Sequence, residues 1–268
     1  MALPTPLVYH NAGLGGNGGL DDLAGTRDLT AYNGAEIIAD TDSGGTAAFN
    51  MLPTIPQADS HFRDSSFTDP GSLDGDTTAT ISAWIKHDGT AGKQMIVCNH
   101  GRGKGNFQLY RDGSSIVAYY GFCEQDFFVV DAEEFLSTLA VPNSDQWYHV
   151  LTTFDGGATL PADKMKVYID GVDNGGTRTQ YENGLTAIPD SSPGFGTDIE
   201  YTIGALRETD LDGVPQGPIL YDFQGRIDSV RVWESVLSSE DITTLSTGRN
   251  ADGSSGGTHI NGLLLGVG

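Results

Sequence analysis

The chain has 268 residues, and its 14 Lys and Arg are set against 36 Asp and Glu for a formal charge of −22. That balance supplies no basic footprint for nucleic acid, and no run approaches the ~20 apolar residues of a membrane span. The 37 Gly and 11 Pro are spread along the chain rather than pooled, which suits many short strands joined by tight turns.

Of the acids, 27 are Asp and 9 are Glu, so part of the charge is turn chemistry: the short Asp side chain bonds nearby backbone N–H groups. The opening MALPTP has neither a basic nor an apolar signal region, so no secretory leader is expected. Residues 7–10 read as an edge strand, followed by a long surface loop (NAGLGGNGGLDDLAG) and two more strands at 35–39 and 47–49. The first strong strand is ATISAWIK at 79–86, in which Ile81, Ala83 and Ile85 share one face by period-two alternation. Strands follow at 95–98, 106–110 and 116–121, then QWYHVLTTF at 146–154, MKVYID at 165–170 and YTIGAL at 201–206. Residues 132–139 read as a short helix. Cys98 and Cys123 lie in apolar strand-like runs, where free thiols behave as small buried hydrophobes; a disulfide between neighbouring strands is the alternative.

The segment DFQGRIDSVRVWESVLSSEDITTL, residues 222–245, is the most informative. It predicts a strand over 225–233 and, after a turn, a helix over 238–245 opened by a Ser238/Asp241 capping box, with Ile242 and Leu245 on one face. The fold class is all-β: a two-sheet antiparallel β-sandwich with one or two short helices. Residues 1–249 form this one domain, and 250–268 form a Gly/Ser linker with an apolar tail.

Four segments in fixed order, TISAWIK (80–86), WYHVLTTFDG (147–156), MKVYIDG (165–171) and FQGRIDSVRVWESVLSSEDITTL (223–245), resemble the laminin-G and pentraxin-like jelly rolls of the concanavalin A-like group. The resemblance spans roughly residues 7–247 and implies that sandwich, a fold that hosts lectins, adhesion modules and hydrolases alike. Pentraxins hold calcium on a Glu-Gln-Asp run behind an Ile-Gly strand. Here Ile203-Gly204-Ala205-Leu206-Arg207 leads into Glu208-Thr209-Asp210, so Glu208 and Asp210 match the carboxylates. Asn106 matches the Asn of the pentraxin Asp-Asn pair, and Gly105 replaces the Asp.

Calcium takes six to eight oxygen ligands, and Glu208, Asp210 and Asp212 alternate as an acidic run, with Gly213 for a bend. Without a metal this is a solvated acidic loop. Asp228 is a further candidate: the related glucanases place a structural calcium on an Asp at a comparable position, and the plainer reading is an exposed strand Asp paired with Arg226 or Arg231.

No Glu-x-Asp-x-Glu run of the glucanase type occurs in the chain, and His149 is expected to be structural rather than a base, so no enzyme is expected. Tyr119, Tyr120, Phe122, Phe127 and Phe128 offer aromatic rings for sugar stacking, although most are expected in the core. The tail HINGLLLGVG carries Ile260, Leu263, Leu264 and Leu265, suited to docking in a partner subunit by strand addition or to folding back on its own sandwich.

The chain is therefore expected to bind or build rather than catalyse. The setting is a virion surface, as a bacteriophage capsid decoration or tail-associated protein. Alternatives are a secreted glycan-binding or adhesion module and, third, a glycan-active hydrolase or lyase. Expected partners are other virion or cell-surface proteins, or glycans, with oligomers formed through the tail; neither nucleic acid nor membrane insertion is expected.

Overall fold

The structure is a computed structural model and describes residues 3–12, 20–25, 28–40, 46–51, 60–64, 73–100, 107–121, 132–136, 141, 143–181, 185–188, 200–207 and 219–247. In chain order the strands begin with β1 (Val8–His10), β2 (Leu29–Tyr32), β3 (Glu36–Asp40), β4 (Thr46–Asn50), β5 (His61–Asp64) and β6 (Thr78–His87). They continue with β7 (Lys93–His100), β8 (Phe107–Asp112), β9 (Ser115–Gly121), β10 (Ala132–Leu136) and β11 (Trp147–Asp155). A one-turn helix α1 (Pro161–Lys164) precedes β12 (Met165–Ile169), β13 (Val172–Asp173), β14 (Thr177–Tyr181) and β15 (Glu200–Ile203). The last elements are β16 (Leu206–Arg207), β17 (Ile219–Leu220), β18 (Gly225–Trp233) and helix α2 (Ser239–Ser246).

Two antiparallel sheets stack into the sandwich. The first runs β13-β12-β11-β6-β18-β4-β3, with β1 also paired to β18; the second runs β14-β10-β9-β8-β7-β15-β5-β2. β16 and β17 form a small separate ribbon. The alternation in β6 does what its pattern predicts: Ile81, Ala83 and Ile85 are fully buried in the core, beside Val150, Phe154, Ile227 and Val232 of the flanking strands. The second sheet meets them with Phe62, Phe107, Leu109, Tyr120, Tyr201 and Ile203.

The outer face of the first sheet is covered as well. Helix α2 lays Ile242 and Leu245 against Leu151 and Trp233. Its N-terminus carries the expected capping box, with the Ser238 hydroxyl accepting from the Asp241 N–H and the Asp241 carboxylate accepting from the Ser238 N–H.

Residues 132–136 are a strand, not the expected helix. Their backbone pairs on one side with β9 (Glu134 opposite Tyr119) and on the other with β14 (Glu134 opposite Thr179). Local helix preference in AEEFL is worth tenths of a kcal/mol per residue, and two flanking ladders outweigh it. The strand expected over 201–206 divides at Gly204, where φ is +92° and a Cβ would stand 2.6 Å from the Met51 sulfur. The strand expected at the edge near the N-terminus has one partner among the described strands, β18, beside which it lies off the main strand order.

Candidate functional site

The sequence candidates for calcium are not all described. Asn106, Glu208, Asp210 and Asp212 lie outside the described residues, as do Cys123, Phe122, Phe127, Phe128 and the tail residues Ile260, Leu263, Leu264 and Leu265. Asp228 is described, and it is not an exposed strand Asp: it is 1% exposed and its Oδ1 accepts the N–H of Ala12 at 3.2 Å. Arg226 reaches Asp40 at 3.5 Å, and Arg231 donates to the Tyr9 hydroxyl at 2.8 Å. A register shift between Asp228 and Arg231 makes room for this: β18 bulges, Ser229 takes φ +52°, and its hydroxyl accepts from Asn11 at 2.7 Å. Asp228 thereby ties the segment after β1 to the bulge. No group of three His, Cys, Asp or Glu side chains poised for a metal occurs among the described residues.

The buried titratable groups serve the framework. His149 is fully buried opposite Trp84, ring centroids 5.2 Å apart, and neither ring nitrogen has a hydrogen-bond partner among the described residues. Burial first, then the Arg231 charge, pushes its pKa down to about 3, so it is neutral and not poised as a base. His10 lies inside the core against Tyr201 (5.6 Å), and burial holds its pKa at about 4 despite the nearby Asp22. Asp22 accepts the N–H groups of Tyr9 and Ala24, each at 3.0 Å. Asp170 accepts the N–H of His149 at 2.8 Å, and burial raises its pKa. Cys98 is a buried thiol with its sulfur 3.0 Å from the Thr202 hydroxyl.

The second sheet carries aromatic residues on its outer face. Strand alternation separates the adjacent Tyr119 and Tyr120: Tyr120 enters the core, whereas Tyr119 joins a second cluster with Met95, Cys98, Tyr110, Val117 and Leu206. Register sets Met95, Tyr110 and Val117 in one row and Cys98, Gln108 and Tyr119 in the next. Tyr110, Gln108 and Tyr119 are themselves buried, at 3%, 8% and 6% exposure. The cluster surfaces at its end, where the Lys93 ammonium lies 4.3 Å from the Tyr110 ring centroid and 5.2 Å from that of Tyr221, a residue 39% exposed. Aromatic faces with a few placed polar groups are the chemistry of a small-molecule site. The 116–121 strand pattern could have placed Tyr119 outside. Lys93 and Tyr221 carried no sequence signal, because they meet only through the fold.

A family model described as the concanavalin A-like lectin/glucanases superfamily, of laminin-G type, matches residues 60–243. The chain belongs to that superfamily. A search of curated proteins finds no match. Among solved structures the chain is similar to the binding domain of Paraclostridial Mosquitocidal Protein 1, at 12% identity and TM-score 0.60, over 93% of this chain and 55% of that one. It is also similar to the receptor binding domain of botulinum neurotoxin D (13% identity, TM-score 0.58, 91% and 52% covered). A third is the binding domain of botulinum neurotoxin DC in complex with SialylT (12% identity, TM-score 0.54, 90% and 51% covered). The chain spans about half the length of these structures, and at such identities the likeness is one of fold.

Proposed function

We propose that this chain is a non-catalytic binding module with a lectin-like fold whose ligand is a glycan, displayed on a virion surface as a capsid decoration or tail-associated component. The carrying observation is the accessible end of the buried cluster on the outer side of the second sheet, where the Lys93 ammonium lies over the rings of Tyr110 and Tyr221 and Tyr221 is 39% exposed. Two further facts support binding over catalysis. The similar structures are named as binding domains, one of them in complex with SialylT. The buried Asp22 and Asp228, and Asp170 at the end of β12, spend oxygens on backbone N–H groups, and His149 is held neutral.

The virion setting rests on sequence: an apolar segment at 259–268 behind a Gly/Ser linker, on a chain of formal charge −22, suits an arm that docks in a partner subunit. Calcium belongs to the proposal through Glu208, Asp210 and Asp212, with Asn106 as a further oxygen donor. A broad glycan array, run with calcium and with chelator, tests the ligand class. Binding that weakens with chelator supports both parts; silence on the whole panel under both conditions sinks the glycan reading. Co-sedimentation with bacteriophage particles tests the setting.

A further inference from the structure

Tyr221 is held in the left-handed region at φ +59°, where a bulky side chain crowds its own backbone. Gly or Asn is the usual occupant of such a position. The surroundings enforce the strain. The Tyr221 carbonyl accepts the Met95 N–H at 2.6 Å, and two residues on, Phe223 is fully buried and donates its N–H to Gly204 at 2.7 Å. This anchoring on both sides fixes the backbone while leaving the residue 39% exposed at the mouth of the outer-face cluster. Strain that persists at a site points to use of the group it presents.

Beside that ring lies the Lys93 ammonium, with the Tyr110 ring behind it. A pyranose has an apolar C–H face and a rim of hydroxyls. An exposed phenol ring matches the face, and an ammonium with three rotatable donors matches the rim. The formal charge of −22 disfavours an anionic ligand at long range.

We propose that Tyr221 and Lys93, backed by Tyr110, form a stacking subsite for one neutral hexopyranose residue. The inference rests on the glycan-binding reading above and adds the place and the ligand class. The test uses the full chain. The probes are the neutral glycan that binds best on the array and, in parallel, methyl β-galactopyranoside and methyl β-glucopyranoside followed by saturation-transfer NMR. Tyr221→Ala is expected to weaken binding about tenfold, as loss of an aromatic anchor does, while Tyr221→Phe keeps it and the melting temperature confirms folding. Lys93→Met is expected to weaken it by a smaller factor, and it decides the matter if Tyr221→Ala fails to fold.

Unchanged affinity in a folded Tyr221→Ala or in Lys93→Met overturns the subsite and leaves glycan binding standing elsewhere on the molecule. Transfer to neither glycoside, with a silent array, removes both.

Discussion

His149 and His10 are both 0% exposed, and each is held neutral by burial, at pKa values of about 3 and about 4 against the ordinary 6.5. With folded values depressed, the unfolded chain takes up protons first as pH falls below 6.5, so stability present at neutral pH is lost progressively toward pH 4. Each histidine contributes a loss of about 2 kcal/mol by pH 5. Asp170 works the other way: its carboxyl is raised by burial, so acid favours its folded state and offsets part of the loss. Urea melts at pH 7.5 and pH 5 check this, and His149→Phe is expected to remove roughly half of the difference. A pH slope untouched by that substitution would place the titrating groups elsewhere. Asp228, too, owes its burial to contacts distant in sequence. Its position between Ile227 and Ser229 marked a polar side chain in a strand, but the bulge that buries it depends on Asn11, over two hundred residues away in sequence.

Elements with strong periodicity were readable in advance. β6, β11, β12 and β18 form where alternation and β-branched residues placed them, and α2 begins at its capping box. What failed was pattern too short to stand against context. AEEFL became a strand because two neighbours offered ladders. The strands LTAY and HFRD were not distinguished from loop, having four residues each and mixed burial. The outer-face site was half readable, since Tyr119 alternates outward while Lys93 and Tyr221 meet only across the fold.

One glycine in the closing strand is required by contact. Gly225 has φ +153°, and a Cβ there would stand 2.1 Å from the Lys86 carbonyl. Gly225→Ala must therefore move β18 off β6, and an expected loss on the order of 3 kcal/mol is measurable by calorimetry or denaturant melts. A melt within 1 °C of the parent would show that the strands shift apart freely.

At the scale of the molecule, the expected arm and the sandwich are separable in composition. Helix α2 ends next to the β12–β13 turn, where Gly171 touches Ser246 closely enough that a Cβ would stand 2.4 Å from its hydroxyl. Deleting residues 251–268 is expected to keep the melting temperature and abolish assembly with partner subunits, measured by light scattering and particle binding. A truncated chain that stays monomeric like its parent but melts lower would mean the segment folds back on its own sandwich.

The sheet order has a consequence for how the chain is made. β18 lies in the middle of the first sheet, between β6 on one side and β4 and β1 on the other. A growing polypeptide therefore holds that sheet in three unjoined parts, β13-β12-β11-β6, β4-β3 and β1, until the ribosome has released the stretch through Trp233. β1 waits for a partner translated over two hundred residues after it, with Leu7 and Val8 destined for Val232. Pairing so distant in sequence is slow, and open edges in the meantime invite wrong partners. The Gly- and Asp-rich stretch between β1 and β4, poor in apolar residues, gives the waiting strands little with which to aggregate.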